Sequence, residues 1–220
     1  MKKILIAALL FLSVGSAAAE GAMKVDLGGG HALLYENELG GRYKVLALIS
    51  NGKVLRKLHG VADKGGLFEY ERSPVISSDG RYAVVNQVES EGDERGSNSH
   101  EVAYCELIDL MSGCIVARDT GQFCGGEFTD SGEWRTFVFQ DLNLLEATPA
   151  AEKYVSGRLF FSDSPGDSLA NLLVCDPLGE ENVKYYKRLA DEKLSNLSDG
   201  ARSKLRDVLR LNGHWSNTEK

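Results

Sequence analysis

The stretch SPVISSDGRYAVV, residues 73–85, decides the fold class of this 220-residue chain. Its centre, SSDG at 77–80, carries the Ser, Asp and Gly residues that favour a tight turn. Tyr82 to Val85 then combines aromatic and β-branched side chains, which favour a strand. The segment therefore predicts a β-hairpin.

The hairpin pattern repeats along the chain. FTDSGEWRTFVF, residues 128–139, has the same turn chemistry, and the turn at Asn51-Gly52 returns at Ser112-Gly113. A period of about 50–60 residues with about four strands per unit is typical of a propeller blade. The SSDGR turn resembles the opening hairpin of TolB-like and WD-like propeller blades. Closure needs at least about four blades, and residues 24–162 hold two units and part of a third. We therefore expect a mainly β fold of antiparallel hairpins in propeller-blade-like repeats that do not close.

The C-terminal part follows a different period. From Leu178 the apolar residues recur at helical spacing, which predicts a helix over about 180–195. Ser198 predicts the N-cap of a second helix over 199–211. Leu169 to Cys175 fits either a last strand or a short helix. The chain thus divides into a β domain at 20–177 and a C-terminal helical segment at 178–220, packed on the β domain.

The first 19 residues have the pattern of a cleaved signal peptide. Lys2 and Lys3 precede an apolar run too short to span a bilayer, and Ala17 to Ala19 supply the small residues of a cleavage site. Cleavage before Glu20 predicts export to the bacterial periplasm, with no membrane attachment afterwards. A retained membrane anchor is the alternative.

The charge of the chain restricts its partners. The formal net charge is −7 for the whole sequence, and the part after residue 19 carries 23 basic and 32 acidic residues. An acidic surface disfavours nucleic acid and anionic membranes, because phosphate groups need clustered Lys and Arg. It favours a basic protein partner, although the charge could equally serve only solubility.

Four cysteines predict two disulfides in an oxidising compartment: Cys105, Cys114, Cys124 and Cys175. Three pairings are possible. We prefer Cys114–Cys124, which would join the start of one strand to the entry of the next. Cys105–Cys175 would then join the sheet to the C-terminal part. The gaps of nine or more residues do not fit a zinc site.

The sequence holds no recognisable catalytic motif. The four histidines, His31, His59, His100 and His214, accompany no nucleophile elbow, and no cofactor or metal motif is present. DERGSNSHE, residues 93–101, departs from the EF-hand pattern, although a looser calcium site stays open. We therefore predict no enzyme, no cofactor and no metal. An unrecognised hydrolase is the alternative, with His31 or His100 beside a serine and an acid.

The segment from Glu89 to His100, ESEGDERGSNSH, is the candidate binding site. Hairpin loops usually have two to five residues, whereas this one is about twelve residues long, polar and acidic. A long loop on a rigid β scaffold is a common place for binding function. The candidate partner-binding residues are Glu91, Asp93, Glu94, Ser97, Asn98, Ser99 and His100.

The run from Ser77 to Arg118 resembles the central stretch of periplasmic immunity proteins that protect bacteria from peptidoglycan amidase effectors of type VI secretion. The shared pattern is SDGR at 78–81, GSNS at 96–99 and the Gly113-Cys114 turn. In that family the loop enters the amidase active-site cleft and blocks it. The resemblance implies that Ser97 and Ser99 are the blocking residues.

The sequence therefore predicts an exported protein that binds a partner protein without catalysis. The leading interpretation is an inhibitor or immunity protein whose loop 89–100 occludes a secreted effector or hydrolase. A propeller-like adaptor of the cell envelope is the second interpretation, and it would use a sheet face instead of the loop.

Overall fold

The computed structural model describes residues 21–61, 65–91, 100–137, 141–191 and 196–215. Its centre is one antiparallel sheet of eight strands: β1 (Met23–Gly28), β2 (His31–Leu39), β3 (Arg42–Ser50), β4 (Lys53–His59), β5 (Leu67–Glu69), β6 (Tyr82–Glu91), β7 (His100–Asp109) and β8 (Ile115–Thr120). A separate two-stranded sheet contains β9 (Glu127–Phe128) and β10 (Trp134–Arg135).

The order of the main sheet is β1-β2-β3-β5-β6-β7-β8, and among the described strands β4 pairs with β3 alone. β1 and β8 lie at the two ends of this order, so the described strands do not close into a barrel. The expected class is confirmed: the fold is mainly β, antiparallel and open, with helices at its C-terminal end.

The two repeated turns have the same local structure. Gly80 and Gly132 adopt φ angles of 71° and 78°, which glycine tolerates without steric cost. They donate backbone hydrogen bonds of 2.8 and 2.9 Å to the carbonyl oxygens of Ser77 and Thr129. The first turn leads into the main sheet and the second joins β9 to β10. The repeated sequence pattern therefore identifies a common type of turn. It does not correspond to repeated four-stranded units, because the eight strands of the main sheet are paired in one sheet.

The two halves of the main sheet face each other across an apolar core. A Cβ atom at Gly113, in the turn between β7 and β8, would lie 3.2 Å from the Cβ of Arg56 on β4 and 3.4 Å from Cδ1 of Leu48 on β3. The core between the halves contains Val25, Leu33, Tyr35, Tyr43, Leu46, Leu48, Leu58, Phe68, Val85, Ile108 and Ile115.

Five helices follow the strands: α1 (Leu144–Ala147), α2 (Ala151–Val155), α3 (Leu169–Cys175), α4 (Val183–Ala190) and α5 (Asp199–Leu211). The two predicted C-terminal helices are present, and the Ser198 hydroxyl caps α5 by accepting from Ala201 N–H. Helices α1 to α3 begin before residue 178. They have four to seven residues, too few to show a helical period in the sequence.

The disulfides join Cys105 to Cys124 and Cys114 to Cys175, with Cα–Cα distances of 5.3 and 4.8 Å. The preferred pairing of Cys114 with Cys124, and of Cys105 with Cys175, was wrong. Cys114 and Cys124 flank the six residues of β8, which at ~3.3 Å per residue separate them by roughly 20 Å, far beyond disulfide reach. A 3₁₀-helix, Gly121–Gly125, brings Cys124 back to β7.

The expected signal peptide, residues 1–19, lies outside the described residues and stays a prediction. Among the described helices, none has the length and apolar character needed to cross a membrane. The two disulfides fit a protein exported to an oxidising compartment.

Candidate functional site

The hairpin formed by β6 and β7 carries the predicted partner-binding segment. Its ladder contains ten residue pairs and ends at Glu91↔His100. The connection therefore spans residues 92–99 instead of the expected 89–100. His100 is exposed at the last pair. Five of the predicted site residues lie in the connection, outside the described residues: Asp93, Glu94, Ser97, Asn98 and Ser99.

A bidentate ion pair fastens this end of the hairpin to the rest of the sheet. Arg42 on β3 donates from Nη1 and Nη2 to the two carboxylate oxygens of Glu101, at 2.7 and 2.9 Å. Its Nη2 is also 3.3 Å from Oε1 of Glu69 on β5. The hydrogen bond from Arg42 lowers the pKa of Glu101, which keeps this carboxylate charged.

Polar residues occupy the inner face of the same hairpin. The ladder register places Gln87, Glu89, Glu106 and Arg118 on one side of β6, β7 and β8. Arg118 pairs with Glu89, and its Nε lies 3.3 Å from Oε1 of Glu106. Its guanidinium carbon is 3.6 Å from the ring centroid of Tyr104. Glu89 therefore belongs to a buried ion-pair network and not to an exposed acidic loop.

Glu106 is the most constrained member of this network. Its side chain is completely buried, and among the described residues neither carboxylate oxygen has a hydrogen-bond partner. Burial raises the pKa of Glu106 to about 7, and the charges of Arg118 and Arg56 oppose this shift. The carboxyl group thus changes its charge near neutral pH.

A cleft of ≈ 460 Å³ lies beside the network, between β4 and residues 163–170. Arg56, Lys57 and His59 line one wall, and Asp163 and Ser168 line the other. This size is within the range of small-ligand pockets.

Arg56 connects the cleft with the network. Its Nη1 donates to the carbonyl oxygen of Gly113 at 2.5 Å and to Oδ1 of Asn171 at 2.7 Å. Burial lowers the pKa of Arg56, and the charge of Glu106 opposes that shift. Asn171 is fully buried on α3, so this arginine also joins the sheet to the helices.

Neither His31 nor His100 pairs with a nucleophile in the described part of the chain. His31 is buried and its Nδ1 has no partner there, while His100 is exposed at the hairpin end. The side chains of neither residue make a hydrogen bond to a described serine or carboxylate. Within the described ranges, no three His, Cys, Asp or Glu side chains are grouped to hold a metal ion.

Sequence reasoning missed the buried network and the cleft. A signal for the network existed, because Gln87 and Glu89 continue the inward alternation of Ala83 and Val85 along β6. Polar residues at consecutive inward positions of a strand indicate a buried polar cluster. The cleft had no comparable signal, since β4 and residues 163–170 are distant in sequence.

Comparison with models of protein families, with curated proteins and with solved structures gives no match. The resemblances to propeller blades and to immunity proteins therefore stay predictions.

Proposed function

We propose that this protein is an exported binding protein without catalytic activity, an inhibitor or immunity protein that occludes a partner enzyme in the periplasm. The binding segment is the connection 92–99 together with its flanking residues Glu91 and His100. The partner is a secreted effector or hydrolase with a basic surface around its active site.

The observation that carries this proposal is the rigid base of the β6–β7 hairpin. The base is fixed by the ten-pair ladder, by the Arg42–Glu101 ion pair and by the disulfide between Cys105 and Cys124. A segment held on a preorganised base loses less entropy when it binds, which raises affinity.

The acidic residues of the segment supply long-range attraction. Glu91, Asp93 and Glu94 precede the Ser-Asn-Ser run at 97–99, and Arg95 is the one basic residue between them. The net negative charge of residues 91–99 accelerates association with a basic partner. The uncharged residues then offer hydrogen bonds to the partner's site.

The decisive experiment replaces residues 92–99 with Asn-Gly. Because Glu91 and His100 form a direct cross-strand pair, a two-residue turn closes the hairpin without changing its register. The oxidised protein, residues 20–220, serves as bait for a periplasmic extract and for the product of the adjacent gene. We expect one partner that binds the wild type and does not bind the variant.

An equal yield of partner with the variant would contradict the proposal, provided that both proteins form both disulfides and unfold at the same temperature. A second pair of variants tests steering. Glu91→Gln, Asp93→Gln and Glu94→Gln together should lower the association rate. The charge-matched control replaces three exposed acids elsewhere: Asp130, Glu180 and Glu181.

A further inference from the structure

Strand β4 has a free backbone edge among the described residues. Gly60 N–H donates to the carbonyl oxygen of Lys44 on β3 at 3.2 Å. Backbone groups of alternate residues point to opposite sides of a strand, so Leu58 and Arg56 also direct theirs to β3. Lys57 and His59 direct their N–H and C=O groups away from β3. In the described part of the chain these groups meet no backbone partner.

The ≈ 460 Å³ cleft runs along this edge. It is lined by six consecutive residues, from Arg56 to Val61. Side chains of a strand alternate between its two faces, so consecutive residues line one cleft only where the cleft follows the edge. The opposite wall includes Asp163, Pro165 and Ser168.

The guanidinium group of Arg56 lines this cleft in a fixed orientation. Its Nη1 is occupied by Gly113 and Asn171, which fix the orientation of the guanidinium group. Its Nε and Nη2 have no acceptor among the described residues, and neither is one of the fully buried polar atoms. These two donors have the spacing that binds a carboxylate through both of its oxygens.

The charge of β4 indicates what would bind there. Its sequence, KVLRKLH, holds three cations and a histidine but no acidic residue, in a chain of net charge −7. Glu36 balances Lys57, with 2.5 Å between Oε2 and Nζ, and Asp163 lies on the far wall. The buried Glu106 also interacts with the charge of Arg56, but Nε and Nη2 of Arg56 have no described acceptor, so Arg56 remains able to bind a ligand in the cleft.

We propose that the cleft binds an extended acidic segment of a polypeptide, which adds a strand to the free edge of β4 and places a carboxylate on Arg56. Main-chain hydrogen bonds to Lys57 and His59 would supply affinity, and Arg56 would select the acidic side chain. This site differs from the β6–β7 hairpin and does not depend on the function proposed for it.

The test measures the fluorescence anisotropy of a labelled hexapeptide of alternating glutamate and valine, with an amidated C-terminus, titrated with the oxidised protein. A hexapeptide of alternating lysine and valine is the control. We expect saturable binding of the acidic peptide and at least about tenfold weaker binding of the basic one. A version with a free C-terminus distinguishes binding of a side-chain carboxylate from binding of a terminal one.

Two variants locate the binding. His59→Pro removes an N–H that points into the cleft without breaking the ladder to β3, and proline is tolerated at such edge positions. It should weaken binding about tenfold relative to His59→Ala, which keeps the N–H. Arg56→Lys keeps the charge but removes the paired donors, and it should also weaken binding about tenfold.

Replacement of residues 92–99 with Asn-Gly should leave peptide binding unchanged, so failure of one proposal is distinguishable from failure of the other. Equal affinity for both peptides, or equal affinity of His59→Pro and His59→Ala, would overturn the inference. So would absence of binding at millimolar protein, or a concentration-dependent dimer that His59→Pro abolishes, since the edge would then pair with a second copy.

Discussion

The hairpins β3–β4 and β7–β8 share one plan and differ in what holds them. In each hairpin the second strand has one extra residue. The register shifts after Leu48 in β3–β4 and after Leu107 in β7–β8. Each has a turn glycine at positive φ, 75° at Gly52 and 76° at Gly113. Each also carries an arginine on the inner side, Arg56 and Arg118.

The difference lies in the surroundings of the second strand. β8 is flanked by both disulfides, through Cys114 and through Cys124 next to Cys105. β4 has no disulfide, although β4 and β8 each have one edge without a strand partner among the described strands. Local sequence thus makes both hairpins, while the covalent links to the 3₁₀-helix and to α3 are made by β7–β8 and not by β3–β4.

Removing a disulfide of the β7–β8 hairpin should lower the free energy of unfolding more than any other change proposed here. Cys114→Ala with Cys175→Ala opens a loop with a sequence separation of 61, and we expect a loss of ~4 kcal/mol in the free energy of unfolding. Cys105→Ala with Cys124→Ala, with a separation of 19, should cost ~3 kcal/mol. Urea denaturation measures both, and the reverse order would contradict the loop-length argument.

Asn171 forms hydrogen bonds with both hairpins, so its replacement should lower the free energy of unfolding. Its Oδ1 accepts from Arg56 and from Ile115 N–H at 3.0 Å, and its Nδ2 donates to two carbonyl oxygens. Asn171→Ala leaves these buried groups unpaired and should cost ~3 kcal/mol of unfolding free energy. The control Asn143→Ala removes a helix N-cap and should cost ~1 kcal/mol. Similar losses for both variants in denaturant would contradict the bridging role.

Glu106 gives β7–β8 a pH dependence. Its pKa in the folded protein is about 7, above its ordinary value of 4.5. As pH rises, the unfolded chain releases this proton before the folded protein does. The contribution of Glu106 to the free energy of unfolding is therefore complete below pH 4.5 and is lost between pH 4.5 and about pH 7. We expect a decrease of roughly 2–3 kcal/mol.

The measurement compares wild type with Glu106→Gln in urea at several values between pH 4.5 and 7.5. The variant has no carboxyl group to titrate at this position, so the difference in unfolding free energy between the two proteins should change across that interval. An identical pH profile for both proteins would show that Glu106 keeps one charge state throughout.

The ion pair at the end of the β6–β7 ladder should have the smallest effect on global stability. Arg42 is partly exposed and Glu101 is exposed, and ion pairs in contact with solvent contribute little. Arg42→Gln should lower the melting temperature by less than about 2 °C. Hydrogen exchange of the amides at residues 100 and 101 should nevertheless accelerate in the variant, whereas the amides of β4 should not change.

The sequence predicts those parts of the fold that are local. Asn51-Gly52 predicts its hairpin because both residues accept positive φ, and their angles are 49° and 75°. Ser198 predicts the start of α5 because its side chain caps the helix. Relations between distant residues were not accessible, which is why the disulfide pairing was wrong and the cleft beside Arg56 was missed.

The two disulfides interleave along the chain: the first cysteine joins the third, and the second joins the fourth. A chain that is oxidised as it emerges, from its N-terminus onward, presents Cys105 and Cys114 before their native partners. An oxidant that joins cysteines in their order of appearance would make the wrong link. Conversion of such a link into the two native disulfides requires thiol–disulfide exchange through a mixed disulfide.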